Sequence, residues 1–247
     1  MKVSIITCCY NSEKTIRDTL NSIAIQNYHN IEHLIIDGGS KDRTLDIVNE
    51  FKHVSKVVSE SDNGIYDAMN KGLNYASGDL IGILNSDDFY THKSVIKDIV
   101  DLLTHSKAQS LYADLDYVDV LDKTKVIRKW KAGEYHPNKF HYGWMPPHPT
   151  YFVRREIYEK YGLFDLRFKS SADYEIMLRF LIKHKISLVY LPEVIVHMRA
   201  GGQSNASIKN RLHANREDAL AWKHNGLNPY FFTTYLKPLR KIKQFFQ

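Results

Sequence analysis

Cysteine and long apolar runs are scarce in this sequence. Its 247 residues include only two cysteines, Cys8 and Cys9, which are neighbours in the chain. Adjacent cysteines cannot build a disulfide framework or supply a four-ligand zinc site, so we expect a reducing, cytoplasmic setting. No stretch reaches the roughly 20 apolar residues that a membrane span needs, and the apolar start, residues 1–10, is too short for a signal-peptide core. These absences argue against a disulfide-rich secreted domain and against a membrane-spanning protein.

Glycine-rich phosphate loops are also missing. The sequence contains neither G-x-G-x-x-G nor G-x-x-x-x-G-K-[ST], so neither a dinucleotide-binding fold nor a P-loop is supported. What is present is the composition of an ordinary globular protein, 43% apolar and 25% charged, with a net charge of +6. A positive charge favours polyanionic partners such as anionic lipid or diphosphate-bearing substrates. Because the basic residues are spread out and form no nucleic-acid-reading motif, we expect no nucleic-acid partner.

The C-terminal tail alternates basic and apolar residues. At helical spacing this pattern is typical of an amphipathic segment that lies on an anionic membrane surface. A solvated terminal helix or a frayed end is the alternative. The residues concerned are Lys237, Arg240, Lys241 and Lys243, interleaved with Leu236, Leu239, Ile242, Phe245 and Phe246.

Strand and helix patterns alternate along the first ninety residues. Apolar, β-branched runs occupy residues 2–10, 31–39, 54–60 and 79–86, and amphipathic helical patterns lie between them. This order predicts a parallel sheet covered on both faces. Farther along, the sequence predicts a strand pair at 110–119 and 125–130, a helix at 172–184, and a strand pair or bent strand at 186–199. One compact domain with a C-terminal extension from about residue 205 is the simplest interpretation.

Polar residues follow three of the predicted strands. These are Tyr10 with Asn11, the run 37–40 (Asp-Gly-Gly-Ser), and the run 86–88 (Ser-Asp-Asp). Ligands bind beyond the carboxyl ends of parallel strands, so we expect the three groups to line one crevice. A carboxylate pair there suits a hard cation, magnesium or manganese, shared with substrate phosphates. The alternative is that Asp87 or Asp88 caps the following helix.

Four segments, in order, resemble family 2 glycosyltransferases of the GT-A fold, a large bacterial group that builds surface polysaccharides such as lipopolysaccharide and capsule. The segments are VSIITCCYN, IIDGGSKDRT, SDNGIYDAMNKGLNYASGDLIGILNSDD and SSADYEIMLRF. The resemblance covers residues 1–205 and implies an α/β GT-A domain, with one Rossmann-like, mostly parallel sheet flanked by helices. It implies a nucleotide-binding half at about 1–90 and an acceptor and catalytic half at 91–205. Residues 206–247 would form a C-terminal helical extension.

The resemblance also implies which residues bind the nucleotide-sugar donor. Tyr10 matches the position near the nucleobase, and Asp37 matches the acid that contacts uracil or ribose. The alternative for Asp37 is a turn residue ahead of two glycines. Lys71 could reach a phosphate of the donor, and the alternative is a solvated side chain. The full expected donor set is Thr7, Tyr10, Asp37, Lys71, Asp87 and Arg199.

The expected metal ligands are Asp88, Asp87 and His197, which would hold Mn²⁺ or Mg²⁺. The run NSDD matches the family's metal motif, but Asn85 replaces its first acid. Which carboxylate contacts the metal and which contacts the ribose therefore stays open. The alternative for His197 is a structural role, which is more common for a lone histidine. The resemblance also implies that Arg199 neutralises the charge of the leaving nucleotide.

Asp173 matches the family's catalytic base. An acceptor hydroxyl must lose its proton as the new bond forms, and a carboxylate within hydrogen-bond reach can accept it. Asp173 is also a reasonable N-cap for the helix that follows it, and both roles can hold together. In the loop before the strand at residue 151, Trp144, Met145 and His148 are the expected acceptor-binding residues, since aromatic faces pack on sugar rings. A core-packing loop is the alternative.

The function predicted from the sequence is an inverting transfer of a sugar from a UDP- or GDP-sugar to a hydroxyl of a glycan or lipid-linked acceptor. We expect this enzyme in the cytoplasm, with peripheral contact at the inner face of the membrane. One alternative is a sugar-1-phosphate nucleotidyltransferase, but CCYNSEK, after the first strand, lacks that class's glycine-rich loop. The other is a non-catalytic sugar- or membrane-surface-binding protein, which the four acids Asp37, Asp87, Asp88 and Asp173 argue against.

Overall fold

A computed structural model gives the architecture and describes residues 1–201 and 208–243. The strands in this part of the chain are β1 (Val3–Cys9), β2 (Ile31–Asp37), β3 (Val54–Ser59), β4 (Leu80–Ile83), β5 (Phe89–Tyr90), β6 (Ser110–Val118), β7 (Val126–Trp130), β8 (Phe152–Arg154) and β9 (Leu188–Arg199). The α-helices are α1 (Ile16–Ala24), α2 (Thr44–Asn49), α3 (Ile65–Tyr75), α4 (Val95–Ser106), α5 (Arg155–Tyr161), α6 (Ala172–Met177), α7 (Ile208–His224) and α8 (Thr233–Lys243). Two 3₁₀ turns, Pro137–Tyr142 and His148–Thr150, and a π-helical continuation of α6, Leu178–Lys183, complete the elements.

The strands form one sheet in the order β3-β2-β1-β4-β8-β6-β9-β5, with β7 beside β6. The strands β3, β2, β1 and β4 are parallel, as the alternating strand and helix patterns predict. Every residue of β1 is buried because helices cover both faces of the sheet there. The mixed α/β architecture that the sequence predicts is therefore confirmed.

The later strands mix directions. The predicted pairing of β6 with β7 is confirmed and is antiparallel. Residues 188–199 form one bent strand, β9, in which the register shifts between Leu191 and Val194. Pro192 lies in that irregular step, where its lack of an N–H costs no ladder hydrogen bond. The short strand β5 pairs with β9 and brings Phe89 opposite His197.

The C-terminal helices pack against the rest of the domain. Trp222 of α7 is completely buried and donates a hydrogen bond to the Tyr174 hydroxyl of α6, 2.8 Å away. Lys237 of α8 donates to Asp218 of α7 at 2.8 Å. No helix among the described residues is long and apolar enough to cross a membrane.

Two sequence predictions fall where the structure gives no description. The domain boundary near residue 205 lies outside the described residues and stays a prediction. In the predicted amphipathic tail, Phe245 and Phe246 lie outside them too, as do the side chains of Leu239, Lys241, Ile242 and Lys243.

Candidate active site

The carboxyl ends of β1, β2 and β4 meet at one edge of the sheet. The Asn11 amide, after β1, donates to the Ser40 hydroxyl, after β2, at 2.8 Å. The hydroxyls of Ser12 and Ser86, after β1 and β4, are 2.9 Å apart. The three polar groups that follow these strands therefore line a common crevice, as the sequence predicts.

The turn after β4, residues 85–88, carries a fully buried carboxylate. Asp88 closes this turn with its amide bonded to the Asn85 carbonyl at 3.1 Å, and Thr19 of α1 donates to the Asp88 carbonyl at 2.7 Å. The Asn85 side-chain amide reaches Asp88 Oδ2 at 3.4 Å. Burial, reinforced by the charge of Asp87, raises the pKa of Asp88 well above its ordinary value. Asn85 and Arg199 offset this effect only in part, so the turn holds a carboxylate that is costly to keep charged.

The same turn fits a divalent cation. The side-chain oxygens Asn85 Oδ1 and Asp88 Oδ1 are buried and have no hydrogen-bond partner among the described residues. Buried polar atoms are normally paired, so two neighbouring orphan oxygens indicate a missing ligand. Amide and carboxylate oxygens are the ligands that magnesium and manganese prefer. Asn85, which replaces the first acid of the motif, therefore keeps an oxygen at this place.

His197 is not brought to these oxygens. Its ring packs edge-on against Phe89 at 5.4 Å, and burial lowers its pKa. The ligand atoms of Asp87, Asp88 and His197 do not all lie within 4.8 Å of one another, as a shared metal would require. The structure therefore does not assemble the predicted ligand set, and the crowded pairing of β5 with β9 is the physical reason.

Another potential ligand group exists among the described residues. Ligand atoms of His92, Asp98 and Glu193 lie within 4.8 Å of one another. His92 Nδ1, however, accepts a hydrogen bond from the Ser94 amide at 3.3 Å, which leaves the proton of the neutral ring on Nε2. Nε2 lies 3.1 Å from Glu193 Oε1, but it makes no hydrogen bond among the described residues. Because Nε2 carries the proton, the neutral ring offers this group no free nitrogen for a metal.

Arg199 serves the architecture of the site. Its guanidinium donates to the Asp87 carbonyl at 2.8 Å and forms an ion pair with Asp18 of α1. It also lies over the Phe89 ring, 5.2 Å from the centroid, and is almost fully buried. Two of the five guanidinium N–H donors are thus used within the protein, and the predicted contact of Arg199 with the leaving nucleotide stays a prediction. Its charge still lowers the pKa of Asp87, which burial raises.

Asp37 is turned into its own loop. The carboxylate is completely buried and accepts hydrogen bonds from the amides of Gly39 and Ser40 at 3.1 and 3.0 Å and from the Ser59 hydroxyl at 2.6 Å. The turn role, which is the alternative left open by the sequence, accounts for all these contacts. A direct contact of this carboxylate with a nucleotide would require the loop to rearrange.

The other predicted donor residues differ in exposure. Tyr10 is exposed at the mouth of the crevice. The Thr7 hydroxyl is buried against His33 Nε2 at 3.0 Å, and its main chain lies in the ladder between β1 and β2. Lys71 donates to the Ser61 carbonyl at 2.9 Å and pairs with Glu60 at 3.0 Å, so its ammonium group fixes the loop before α3.

Asp62 is a crevice residue that the sequence analysis missed. A Cβ atom added to Gly38 would lie 2.6 Å from Asp62 Oδ2 and 3.5 Å from Tyr10 Cδ2. Gly38 therefore lets the backbone approach Asp62, whose carboxylate lies beside the exposed Tyr10 ring. The residues Ser-Asp-Asn-Gly at 61–64 have the composition of an ordinary turn, and the Gly64 amide does donate to Asp62 at 2.9 Å. That composition gives no sign of a binding role.

Asp173 lies in the first turn of α6 and is partly exposed. The Tyr66 hydroxyl of α3 donates to Asp173 Oδ1 at 3.1 Å, and His148 Nδ1 lies 3.6 Å from Asp173 Oδ2. Burial and the Asp173 charge raise the pKa of Tyr66 well above its ordinary value, so its hydroxyl stays a donor. The N-cap position of α6 is occupied by Ser171, so Asp173 is not the N-cap of this helix. The carboxylate is thus held from two sides and still accessible.

His148 links the two halves of the site. It lies beside Asp173, and its charge lowers the pKa of Asp87 on the opposite side. Glu175, two residues after Asp173, is buried and paired with Arg179 at 3.0 Å, so it is not available as a base.

Trp144 and Met145 belong to the core. Both side chains are buried, and Trp144 Nε1 donates to the Ala132 carbonyl at 2.8 Å. The indole packs edge-on against Tyr112 and Phe140 at 5.6 and 5.5 Å. Both side chains therefore pack in the core, which is the alternative that the sequence leaves open, and their contact with the acceptor stays a prediction.

Comparisons with known proteins agree on a family. The family model described as glycosyl transferase family 2 matches residues 4–162. An uncharacterized glycosyltransferase of Mycobacterium tuberculosis is 32% identical over 186 residues, which are 72% of this chain and 68% of that protein. A PGL/p-HBAD biosynthesis glycosyltransferase of Mycobacterium bovis is 28% identical over 210 residues, 83% of this chain and 80% of that protein.

Solved structures share the fold. Residues 1–349 of S. aureus TarS, in complex with UDP-GlcNAc, align with a TM-score of 0.73 and 20% identity over 92% of this chain and 68% of that chain. The mannosyltransferase PcManGT from Pyrobaculum calidifontis, in complex with GDP-Man and Mn²⁺, aligns with a TM-score of 0.66 and 15% identity, covering 96% of this chain and 72% of that one. The GT-A fold that the sequence predicts is confirmed.

Proposed function

The chain belongs to glycosyl transferase family 2, and we propose that it transfers a sugar from a nucleoside diphosphate sugar to a hydroxyl group with inversion at the anomeric carbon. One observation carries the proposal. His148 lies 3.6 Å from Asp173, and its charge offsets part of the rise that burial causes in the pKa of Asp87, so His148 lies near both the candidate base and the acidic turn. A base on one side and a diphosphate site on the other is what a direct displacement requires.

Asp173 accepts the proton of the acceptor hydroxyl as that oxygen attacks the anomeric carbon. The bond from that carbon to the diphosphate breaks on the opposite face, and the diphosphate leaves with the electron pair. Tyr66 holds the carboxylate in place through its hydrogen bond of 3.1 Å. His148, which is partly exposed beside the carboxylate, would contact the acceptor as it approaches Asp173.

The donor's diphosphate binds at the turn 85–88. Asp88, with Asn85 Oδ1 and Asp87 beside it, would hold Mn²⁺ or Mg²⁺, as the orphan oxygens support. The bound cation would neutralise negative charge on the departing diphosphate. Tyr10 and Asp62 line the part of the crevice where the nucleoside fits, with the ring available for stacking on the base.

The substrates follow by analogy with relatives. A UDP-sugar or a GDP-sugar is the proposed donor, because the structural neighbours were solved with UDP-GlcNAc and with GDP-Man. A glycan or lipid-linked acceptor in surface polysaccharide synthesis agrees with the name of the M. bovis relative. Two free, buried cysteines agree with a cytoplasmic location.

A donor panel tests the proposal. The protein is incubated with UDP- and GDP-sugars, with Mn²⁺ or with EDTA, and nucleotide release is measured with and without simple glycan acceptors. We expect one donor to release nucleotide faster in Mn²⁺, and nuclear magnetic resonance to show inverted anomeric configuration in the product. A product with retained configuration would contradict the direct displacement. Thermal stabilisation by nucleotide without any turnover would instead indicate a non-catalytic binding protein.

A further inference from the structure

An exposed group of aromatic side chains lies where the C-terminal segment meets the 3₁₀ turn at residues 137–142. Four rings, of Tyr142, Tyr230, Phe231 and Phe232, contact one another, with centroids 5.1 to 6.1 Å apart. Tyr235, in the first turn of α8, lies four residues after Phe231 in the sequence. We name these five residues the C-terminal aromatic patch. Phe231 is 90% exposed, Tyr235 67%, and Tyr142 and Tyr230 are each 49% exposed.

The patch rests on a firm base. The His141 ring lies between the buried Trp222 and Tyr230, with centroids 4.7 and 4.6 Å away. Thr233 donates from its hydroxyl to the His141 carbonyl at 2.7 Å. Lys237, one turn beyond the patch, is fixed by Asp218. The rings are thus held at the surface by packing beneath them, and contiguous exposed apolar area of this kind marks an interaction site.

The segment that carries the patch is strongly basic. No acidic residue follows Asp218 in the sequence, whereas Lys223, Lys237, Arg240, Lys241 and Lys243 all lie after it. Arg240 is exposed. A basic segment of this kind attracts anionic groups. The exposed tyrosine and phenylalanine rings beside it fit the apolar layer that lies just below the headgroups of a lipid bilayer.

We infer that the C-terminal aromatic patch docks onto the surface of an anionic lipid bilayer. Tyrosine rings place an apolar body and a polar hydroxyl at the level of lipid headgroups, and Phe231 would enter the acyl boundary. The basic residues of this segment, among them the exposed Arg240, would attract anionic headgroups. This inference goes beyond the amphipathic tail seen in the sequence, because Tyr142 is distant in sequence and joins the patch only through the fold.

The helix α8, which carries Tyr235 of the patch, packs against α6, the helix that carries the candidate base. The Lys237 ammonium lies 3.7 Å from the centroid of the Tyr174 ring, and Tyr174 is the residue after Asp173. Docking would hold the whole domain at the bilayer surface, where an acceptor carried by a lipid is present. That consequence, unlike the docking itself, rests on the proposed function.

Vesicle flotation with the full chain tests the docking. Vesicles of phosphatidylcholine alone are compared with vesicles that also contain phosphatidylglycerol, at low and high salt. We expect flotation with the anionic vesicles, weakened by salt. Phe231→Ser with Tyr235→Ser should lower the partition coefficient by about tenfold or more, since binding scales with buried apolar area. Phe231→Trp should keep it, and Tyr75→Ser, at an exposed tyrosine outside the patch, is the matched control.

Several outcomes would overturn the inference. Equal flotation with neutral and anionic vesicles, no flotation with either, or full flotation of the double variant would each contradict it. Light scattering that shows a wild-type dimer, dissociated in the double variant, would assign the patch to contact between copies of the chain. Circular dichroism melting verifies that the variants are folded. Nucleotide release with the donor panel reports on the proposed function separately, since the patch residues touch none of the crevice residues named above.

Discussion

Tyr66 of α3 donates a hydrogen bond to Asp173 of α6 across 3.1 Å, although 107 positions separate the two residues in sequence. The bond joins α3, in the part of the chain where we expect the nucleotide to bind, to the helix that carries the candidate base. A carboxylate that must accept a proton in one orientation benefits from a donor that fixes the other oxygen. Tyr66 is thus a positioning residue in the proposed mechanism.

Replacing Tyr66 by phenylalanine tests that role. Tyr66→Phe removes one hydrogen bond to the carboxylate, so we expect kcat to fall about three- to tenfold, as the loss of such a bond implies. The KM for the donor should stay unchanged, because Tyr66 does not contact the acidic turn. Tyr28→Phe, which removes a hydroxyl bond to the Met1 carbonyl elsewhere, is the control. An equal fall in kcat in the control would indicate a general loss of structure.

We expect Asp88 to lower the stability of the protein without metal and to stabilise its complex with Mn²⁺ and nucleotide. Because its buried charge is offset only in part, Asp88→Asn should raise the unfolding free energy in EDTA by on the order of 1 kcal/mol. The same variant should lose most of the thermal stabilisation that Mn²⁺ with nucleotide gives to the wild type. Calorimetric melting with and without Mn²⁺ measures both effects. Asp46→Asn, at an exposed acid of α2, should change neither.

The loop before β8 carries both a core residue, Trp144, and a residue of the candidate site, His148. Trp144→Phe should lower the unfolding free energy by about 1–3 kcal/mol, because it loses volume and the Nε1 bond, and should leave the acceptor KM unchanged. His148→Ala should instead alter the acceptor KM or kcat and leave the unfolding free energy almost unchanged. Denaturant unfolding and acceptor titrations distinguish them. A Trp144→Phe protein of normal stability with a raised acceptor KM would restore the acceptor role.

Acid should destabilise the protein through a buried histidine. Burial, with a smaller effect from His53, lowers the pKa of His33 from 6.5 to about 3. As the pH falls below 6.5, this histidine takes up a proton in the unfolded chain but stays neutral in the native state. The unfolding free energy therefore decreases with falling pH until the pH reaches the folded-state pKa. This histidine accounts for about 1.4 kcal/mol per pH unit. His33→Gln should flatten the slope between about pH 6.5 and 5 in denaturant unfolding, and an unchanged slope would contradict the assignment.

The sheet was predictable because its signals are local. Runs such as residues 3–9 are continuous and β-branched, and they are buried on both faces as that pattern indicates. The positions of Tyr10, Asp87 and Asp88 at strand ends follow from parallel topology alone. The bend of β9 was also within reach, since a proline inside an apolar strand predicts an irregular ladder.

The partners of individual side chains were not predictable. Trp144 has the same sequence pattern whether its ring faces a sugar or the rings of Tyr112 and Phe140. Asp37 and Asp62 both precede glycines, and only the folded loops decide that one turns inward and the other lines the crevice. Tyr66 occupies an amphipathic helix like any packed aromatic residue, so nothing local indicates its bond to Asp173.

The measurement that tests the central claim most directly is the single-turnover rate of sugar transfer by Asp173→Asn, with the donor that the wild type uses. Asparagine keeps the shape and cannot accept the acceptor's proton. We predict donor affinity within about twofold of the wild type and a transfer rate lower by about 10²- to 10⁴-fold. Transfer at the wild-type rate, with the donor bound equally well, would contradict the assignment of Asp173 as the base.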